Sequence, residues 1–90
     1  PELDRFVGHY GTSGFRLSVR NAGTHLSAEL DVGGMERARF ELRPIANERF
    51  AAYSPAGEHW EDGVTFMEAD EQGAPRYLFF AHRLNPRVRS

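Results

Sequence analysis

Apolar and polar residues alternate with a period of two along most of this 90-residue chain. Phe15, Leu17 and Val19 alternate with Arg16, Ser18 and Arg20, and Leu26, Ala28, Leu30 and Val32 alternate with Ser27, Glu29 and Asp31. Ala38, Phe40 and Leu42 repeat the pattern against Arg39, Glu41 and Arg43. Successive side chains on a strand point to opposite faces, so each segment predicts a strand with one buried and one solvated face. Ser13-Gly14, Asn21-Ala22-Gly23 and Gly33-Gly34 separate them and read as turns between neighbours. The strongest hairpin runs from Gly63 to Arg83. Val64 and Phe66 lead into a four-residue turn, Asp70-Glu71-Gln72-Gly73, and Tyr77-Leu78-Phe79-Phe80 returns apolar on both faces.

The rest of the chain fits around these strands. Pro1 to Phe6 is a polar lead-in with one helical turn, Leu3 and Phe6 facing the same way. Phe6 to Thr12 predicts a first strand with Phe6, Gly8 and Tyr10 on one face, and Gly8 marks a place where another backbone or a ring comes close. Pro44 ends the fourth strand because it has no N–H for the ladder, and Arg49 to Tyr53 is a short fifth. Ser54 to Asp62, with the lone Trp60, reads as the longest irregular stretch. Arg83 to Ser90 carries Leu84 and Val88 around Pro86 and leaves an eighth strand open. Apolar residues nowhere recur at helical spacing. The expectation is one all-β domain over residues 1–90, an antiparallel up-and-down meander of seven or eight strands closing into a small barrel, with a β-sandwich as the alternative.

Composition narrows the partners. At this length roughly 60 to 65% of the unfolded chain's surface can be buried, enough for a modest core. No Cys is present, so packing alone holds the fold and the compartment stays open. A net charge of −2, from 11 basic and 13 acidic residues, argues against nucleic acid or an anionic membrane as partner. Every basic residue is Arg, which removes mechanisms built on a Lys base, Schiff-base amine or phosphate-loop Lys. No apolar run approaches the ~18 residues of a spanning helix. Opening at Pro1 rather than Met, the chain reads as a piece of a longer protein.

Catalytic chemistry finds few footholds. None of the Ser residues lies in Gly-x-Ser-x-Gly or Ser-x-x-Lys. His9, His25, His59 and His82 lack paired zinc-site spacings. Glu58-His59-Trp60-Glu61-Asp62 gathers oxygens and one imidazole but reads as a solvated loop, and Glu68, Asp70 and Glu71 read as turn residues at a hairpin tip. Arg and acid on the outer faces of strands two to four read as cross-strand charge pairs. No catalytic residue, metal ligand or cofactor site is assigned.

A resemblance supplies what these residues do not. Leu3-x-x-Phe6-x-Gly8-x-Tyr10, the Phe15-Leu17-Val19 strand and a second alternating strand after a Gly turn open the chain. Phe66-x-x-x-Asp70-x-x-Gly73 with Tyr77-Leu78 and Arg83 closes it. In order and separation these resemble the C-terminal module, lipocalin-like and of unknown function, appended to serine hydrolases related to β-lactamases and penicillin-binding proteins. Phe6 stands where that module more often carries Tyr, and Ser54 to Asp62 looks like an insertion. The resemblance implies a non-catalytic accessory barrel. It further implies, as partner, an N-terminal serine hydrolase domain of the same polypeptide that holds the Ser-x-x-Lys serine.

Strand seven then suggests where that partner docks. With Tyr77, Phe79 and Ala81 taken as inward beside Phe66, the residues Leu78, Phe80 and His82 face out, and Tyr53 and Trp60 extend the patch. Aromatic groups rimmed by Arg76, Arg83 and Glu61 have the composition of an interface anchor. Tyr53, Trp60, Leu78, Phe80 and His82 are therefore the candidate interface, unless the segment around Leu3 folds over this face and buries it. In isolation an uncovered patch favours a homodimer through strand seven. The second reading is a free-standing binder of a small apolar ligand, held in an interior lined by Phe15, Leu17, Leu30, Phe40, Phe66 and Phe79, though a barrel this small favours a filled core.

Overall fold

The computed structural model describes residues 3–34 and 36–88. Pro1 and Glu2 of the expected lead-in, and Arg89 and Ser90 of the tail, lie outside the described residues. A 3₁₀ helix over Leu3–Phe6 precedes eight strands: β1 (Gly8–Thr12), β2 (Phe15–Asn21), β3 (Leu26–Val32), β4 (Glu36–Pro44), β5 (Arg49–Tyr53), β6 (His59–Ala69), β7 (Pro75–Phe80) and β8 (Arg83–Pro86). Each pairs antiparallel with the next, so the sheet order is the chain order. The sheet curls until a bridge between Tyr10 and Arg87 and a bond from the Val88 N–H to the His9 carbonyl, at 2.7 Å, bring the end of the chain back to β1. The expected up-and-down barrel is what forms.

The alternation decides what fills it. Leu17, Val19, Leu26, Ala28, Leu42, Phe50, Ala52, Val64, Phe66, Leu78 and Phe80 are buried on the concave side. Rings interlock along the axis: Phe6 lies 4.5 Å from Phe66 and 5.3 Å from Phe50, and Tyr10 lies 5.6 Å from Phe66. The 3₁₀ helix closes one end, with Leu3 and Phe6 both buried. The first strand is therefore shorter than the alternation implies, because Phe6 belongs to this plug. The segment around Leu3 caps the barrel and does not cover the outer face of β7.

Tyr10 brings a phenol into this core. It is fully buried, its hydroxyl donates to the Phe6 carbonyl at 2.8 Å, and burial pushes its pKa up to about 12 against a smaller opposing pull from Arg87. At Gly8 the close neighbour is the Arg87 guanidinium, neither backbone nor ring. Gly11 is required outright: at φ +114° a Cβ there would sit 2.0 Å from the Phe15 carbonyl oxygen.

Three departures from the sequence expectations have local causes. Pairing between β5 and β6 is interrupted by bulge-type register shifts between Phe50 and Ala52 and between Ala52 and Tyr53. These shifts break the period of two, so His59 to Asp62 does not read as strand although it belongs to β6. The irregular part shrinks to residues 54–58, a loop closed by the Ser54 N–H to the Glu58 carbonyl at 2.8 Å. The eighth strand exists but buries Asn85 and not Leu84. Asn85 Nδ2 donates to the Leu78 and Arg83 carbonyls at 2.9 and 3.0 Å, which offsets the cost of burying its amide.

The third departure governs the surface. A four-residue turn at Asp70 to Gly73 would pair Phe66 with Tyr77. The loop is one residue longer: the Asp70 N–H bonds the Ala74 carbonyl at 2.7 Å, Ala69 faces Pro75, and Phe66 faces Leu78. One extra loop residue turns every side chain of β7 to the other face. Leu78 and Phe80 therefore point inward and are fully buried, while Tyr77 and Phe79 point outward. Phe79 does not line the interior, and Leu78 and Phe80 do not lie on the surface.

Candidate docking surface

The convex face of β6, β7 and β8 is assembled from facing pairs on that corrected register. Thr65, Phe79 and Leu84 form one row across the three strands, and Met67, Tyr77 and Pro86 form the next. Leu84 is 54% exposed and Met67 38%, with Phe79 and Tyr77 half-buried between them. The result is an apolar stripe on a sheet face that is polar and charged over β2 to β4. On the equivalent face of β2, β3 and β4, Arg37 reaches Asp31 at 4.0 Å and Arg39 stands opposite Glu29.

The stripe runs into a surface hollow of about 620 Å³ lined by Asp70, Glu71, Arg76, Tyr77, Pro86 and Arg87 among others. The hairpin loop builds its acidic wall. One oxygen of Asp70 accepts the N–H groups of Gln72 and Ala74 at 2.9 Å each, and Arg87 stands 3.9 Å from the other. The Ala74 N–H foremost, then that of Gln72 and the charges of Arg87 and Arg76, hold the Asp70 carboxyl below its ordinary value. Asp70 is thus an ionised part of the turn, committed to backbone and to Arg87. The hollow presents both signs of charge beside an apolar stripe, an anchor with a polar rim.

The five residues expected at the interface do not come together. Leu78 and Phe80 are core. Tyr53 lies on the outer face some strands away, under the Arg43 guanidinium at 4.0 Å and edge-on to His59 at 5.2 Å. His82 sits in the β7–β8 turn and is exposed. Trp60 is at the barrel end opposite the 3₁₀ plug, its ring 4.8 Å from Phe40 and 5.3 Å from Phe80 at shallow angles, and 50% exposed. Arg83, expected on the rim, lays its guanidinium 4.2 Å over Phe15 at the same end. Of the residues that sequence reasoning missed, Tyr77 and Phe79 are one register step away, and a five-residue loop at Asp70 to Ala74 is the feature that would have found them; Met67 faces out beside the inward Phe66 in either register, and Leu84 and Pro86 lie on the strand left open.

The polar clusters show ordinary surface chemistry. His59 Nε2 and Asp62 Oδ1 are 2.6 Å apart on the outside of β6, and Arg43 pairs with Glu41 at 2.9 Å. Among the described residues no group of three or more His, Asp or Glu is placed to hold a metal ion. No family model matches the chain, and no curated protein or solved structure is significantly similar to it.

Proposed function

We propose that this domain is a non-catalytic accessory barrel of a serine hydrolase related to β-lactamases, docking on the catalytic domain of the same polypeptide through the convex face of β6–β8. The observation that carries the reading is the stripe of Met67, Tyr77, Phe79 and Leu84, apolar groups on the solvent side of a sheet whose outer face over β2 to β4 is polar and charged. The segments that carry the sequence resemblance supply framework. Leu3 and Phe6 plug the barrel, Tyr10 ties to that plug, and Asp70 and Gly73 shape the hairpin loop, with the Gly73 N–H on the Asp70 carbonyl at 3.0 Å. A domain whose distinctive residues build a scaffold acts through the surface that the scaffold presents.

The test begins with the reading frame around this segment and continues with the two parts expressed separately. A preceding Ser-x-x-Lys domain that binds the barrel in titration calorimetry, and loses binding to the Phe79→Glu, Leu84→Glu double variant while that variant keeps its β-sheet circular dichroism, supports the proposal. Absence of such a domain from the polypeptide overturns the hydrolase assignment. Unchanged binding by the variant overturns the surface. With no partner present, the same stripe would pair two copies, read out as a dimer that Phe79→Glu disperses.

A further inference from the structure

The turn between β7 and β8 has two residues, Ala81 and His82, flanked by the facing pair Phe80 and Arg83. Both take positive φ, 54° and 60°. A two-residue hairpin of this kind needs positive φ at both positions, which is why Asn-Gly is the usual sequence, and neither Ala nor His relieves the crowding of its own Cβ. The strand beyond it is short and held unevenly. β8 faces β7 through four pairs, whereas toward β1 the hydrogen-bonded links among the described residues are the Tyr10–Arg87 bridge, the Val88 N–H on the His9 carbonyl, and a long bond of 3.5 Å from Arg87 to the Val7 carbonyl. Pro86 has no N–H to give to either neighbour. A strained hinge followed by a short strand that completes a barrel is an arrangement that invites exchange between identical chains.

We propose that residues 83–88 exchange between two copies of this chain, with Ala81 and His82 as the hinge, so that β8 of each copy completes the other's barrel. Each contact between the moving segment and the body is then remade in the pair: Asn85 on the Leu78 carbonyl, Arg83 over Phe15, Arg87 beside Asp70. The one structural difference is at residues 81–82, which extend and lose their positive φ. Relief of the hinge opposes the entropy of association, so exchange grows with protein concentration and needs an opening step. The inference does not depend on the docking role, because exchange rebuilds the convex stripe unchanged, with Leu84 and Pro86 supplied by the other copy.

Native Cys is absent, which makes the test direct. Phe79 and Leu84 face each other across β7 and β8. At about 4.5 Å between Cα atoms, such a pair is within disulfide reach. Two single variants, Phe79→Cys and Leu84→Cys, are unfolded together in urea, refolded at high protein concentration and oxidised. Exchange yields the mixed disulfide, joining position 79 of one variant to position 84 of the other, well above its statistical share among linked chains, and wild-type protein refolded alone elutes partly as a dimer. Monomer throughout, or a dimer whose mixed disulfide stays at the statistical share, overturns the proposal; the second result assigns the dimer to the outer face. The hinge is tested with Ala81→Asn, His82→Gly, a pair suited to positive φ, which raises the dimer dissociation constant about tenfold or more. An unchanged constant removes the hinge from the account.

Discussion

Phe80→Ala against Phe79→Ala measures the register of β7, on which the docking surface depends. Phe80 is fully buried, with its ring 5.4 Å from Phe40 and 5.3 Å from Trp60. Truncating a buried Phe costs about 3 to 5 kcal/mol, made up of lost transfer free energy and the cavity left behind. Loss of two aromatic contacts at the barrel end places Phe80 in the upper part of that range. A domain of this size has about 5 to 13 kcal/mol of total stability, so the variant is close to marginal. Phe79 is half-buried on the convex face and leaves no enclosed cavity, so its truncation costs about 1 kcal/mol or less. Urea unfolding followed by far-ultraviolet circular dichroism gives both values, and fluorescence of the lone Trp60 gives an independent check. Phe80→Ala removes one of the two rings against which Trp60 packs, so native emission shifts to the red, whereas Phe79→Ala leaves it unchanged. The opposite ranking, with Phe79→Ala costing about 3 kcal/mol and Phe80→Ala less than about 1, would refute the five-residue loop and return Leu78 and Phe80 to the surface.

Other residues make separate tests. Gly11→Ala destabilises by about 3 kcal/mol or more, because it combines a disfavoured φ with a clash against the Phe15 carbonyl, and soluble yield and thermal midpoint both fall. Ala81→Asn, His82→Gly stabilises the monomer by about 1 to 2 kcal/mol in urea unfolding, since both residues then suit positive φ. For Tyr10 the folded pKa of about 12 lies above the unfolded value of 10.0. Both states keep the proton below pH 10, and above it the unfolded chain releases the proton first. Stability is therefore unaffected by this group below about pH 10 and falls by about 2 to 3 kcal/mol on going to pH 12. Tyr10→Phe removes that alkaline fall, and a wild-type and variant pair with parallel alkaline profiles would show that the phenol is not held neutral in the core.

Much of this fold was legible in the chain, and the parts that were not share a cause. Period-two alternation over β2, β3 and β4 set their faces, because each has a solvated side and a one-residue error would bury Arg and Glu. The same alternation, with short Gly turns and no helical spacing, determined the all-β meander. Strand seven offered no such contrast. Tyr77, Leu78, Phe79 and Phe80 are apolar at every position, so its facing depended on whether the preceding loop had four residues or five. That was decided by the bond from the Asp70 N–H to the Ala74 carbonyl and by the rings available to receive Leu78 and Phe80 inside the barrel. Trp60 was hidden in a similar way, since the bulges opposite β5 remove the periodicity that marks a strand. Asn85 takes an interior position beside Leu84 because Leu78 across the ladder points inward and offers a carbonyl to its amide. Local pattern fixes a strand's facing when one face must be wet; where both faces are apolar or the period is broken, closure of the barrel decides it.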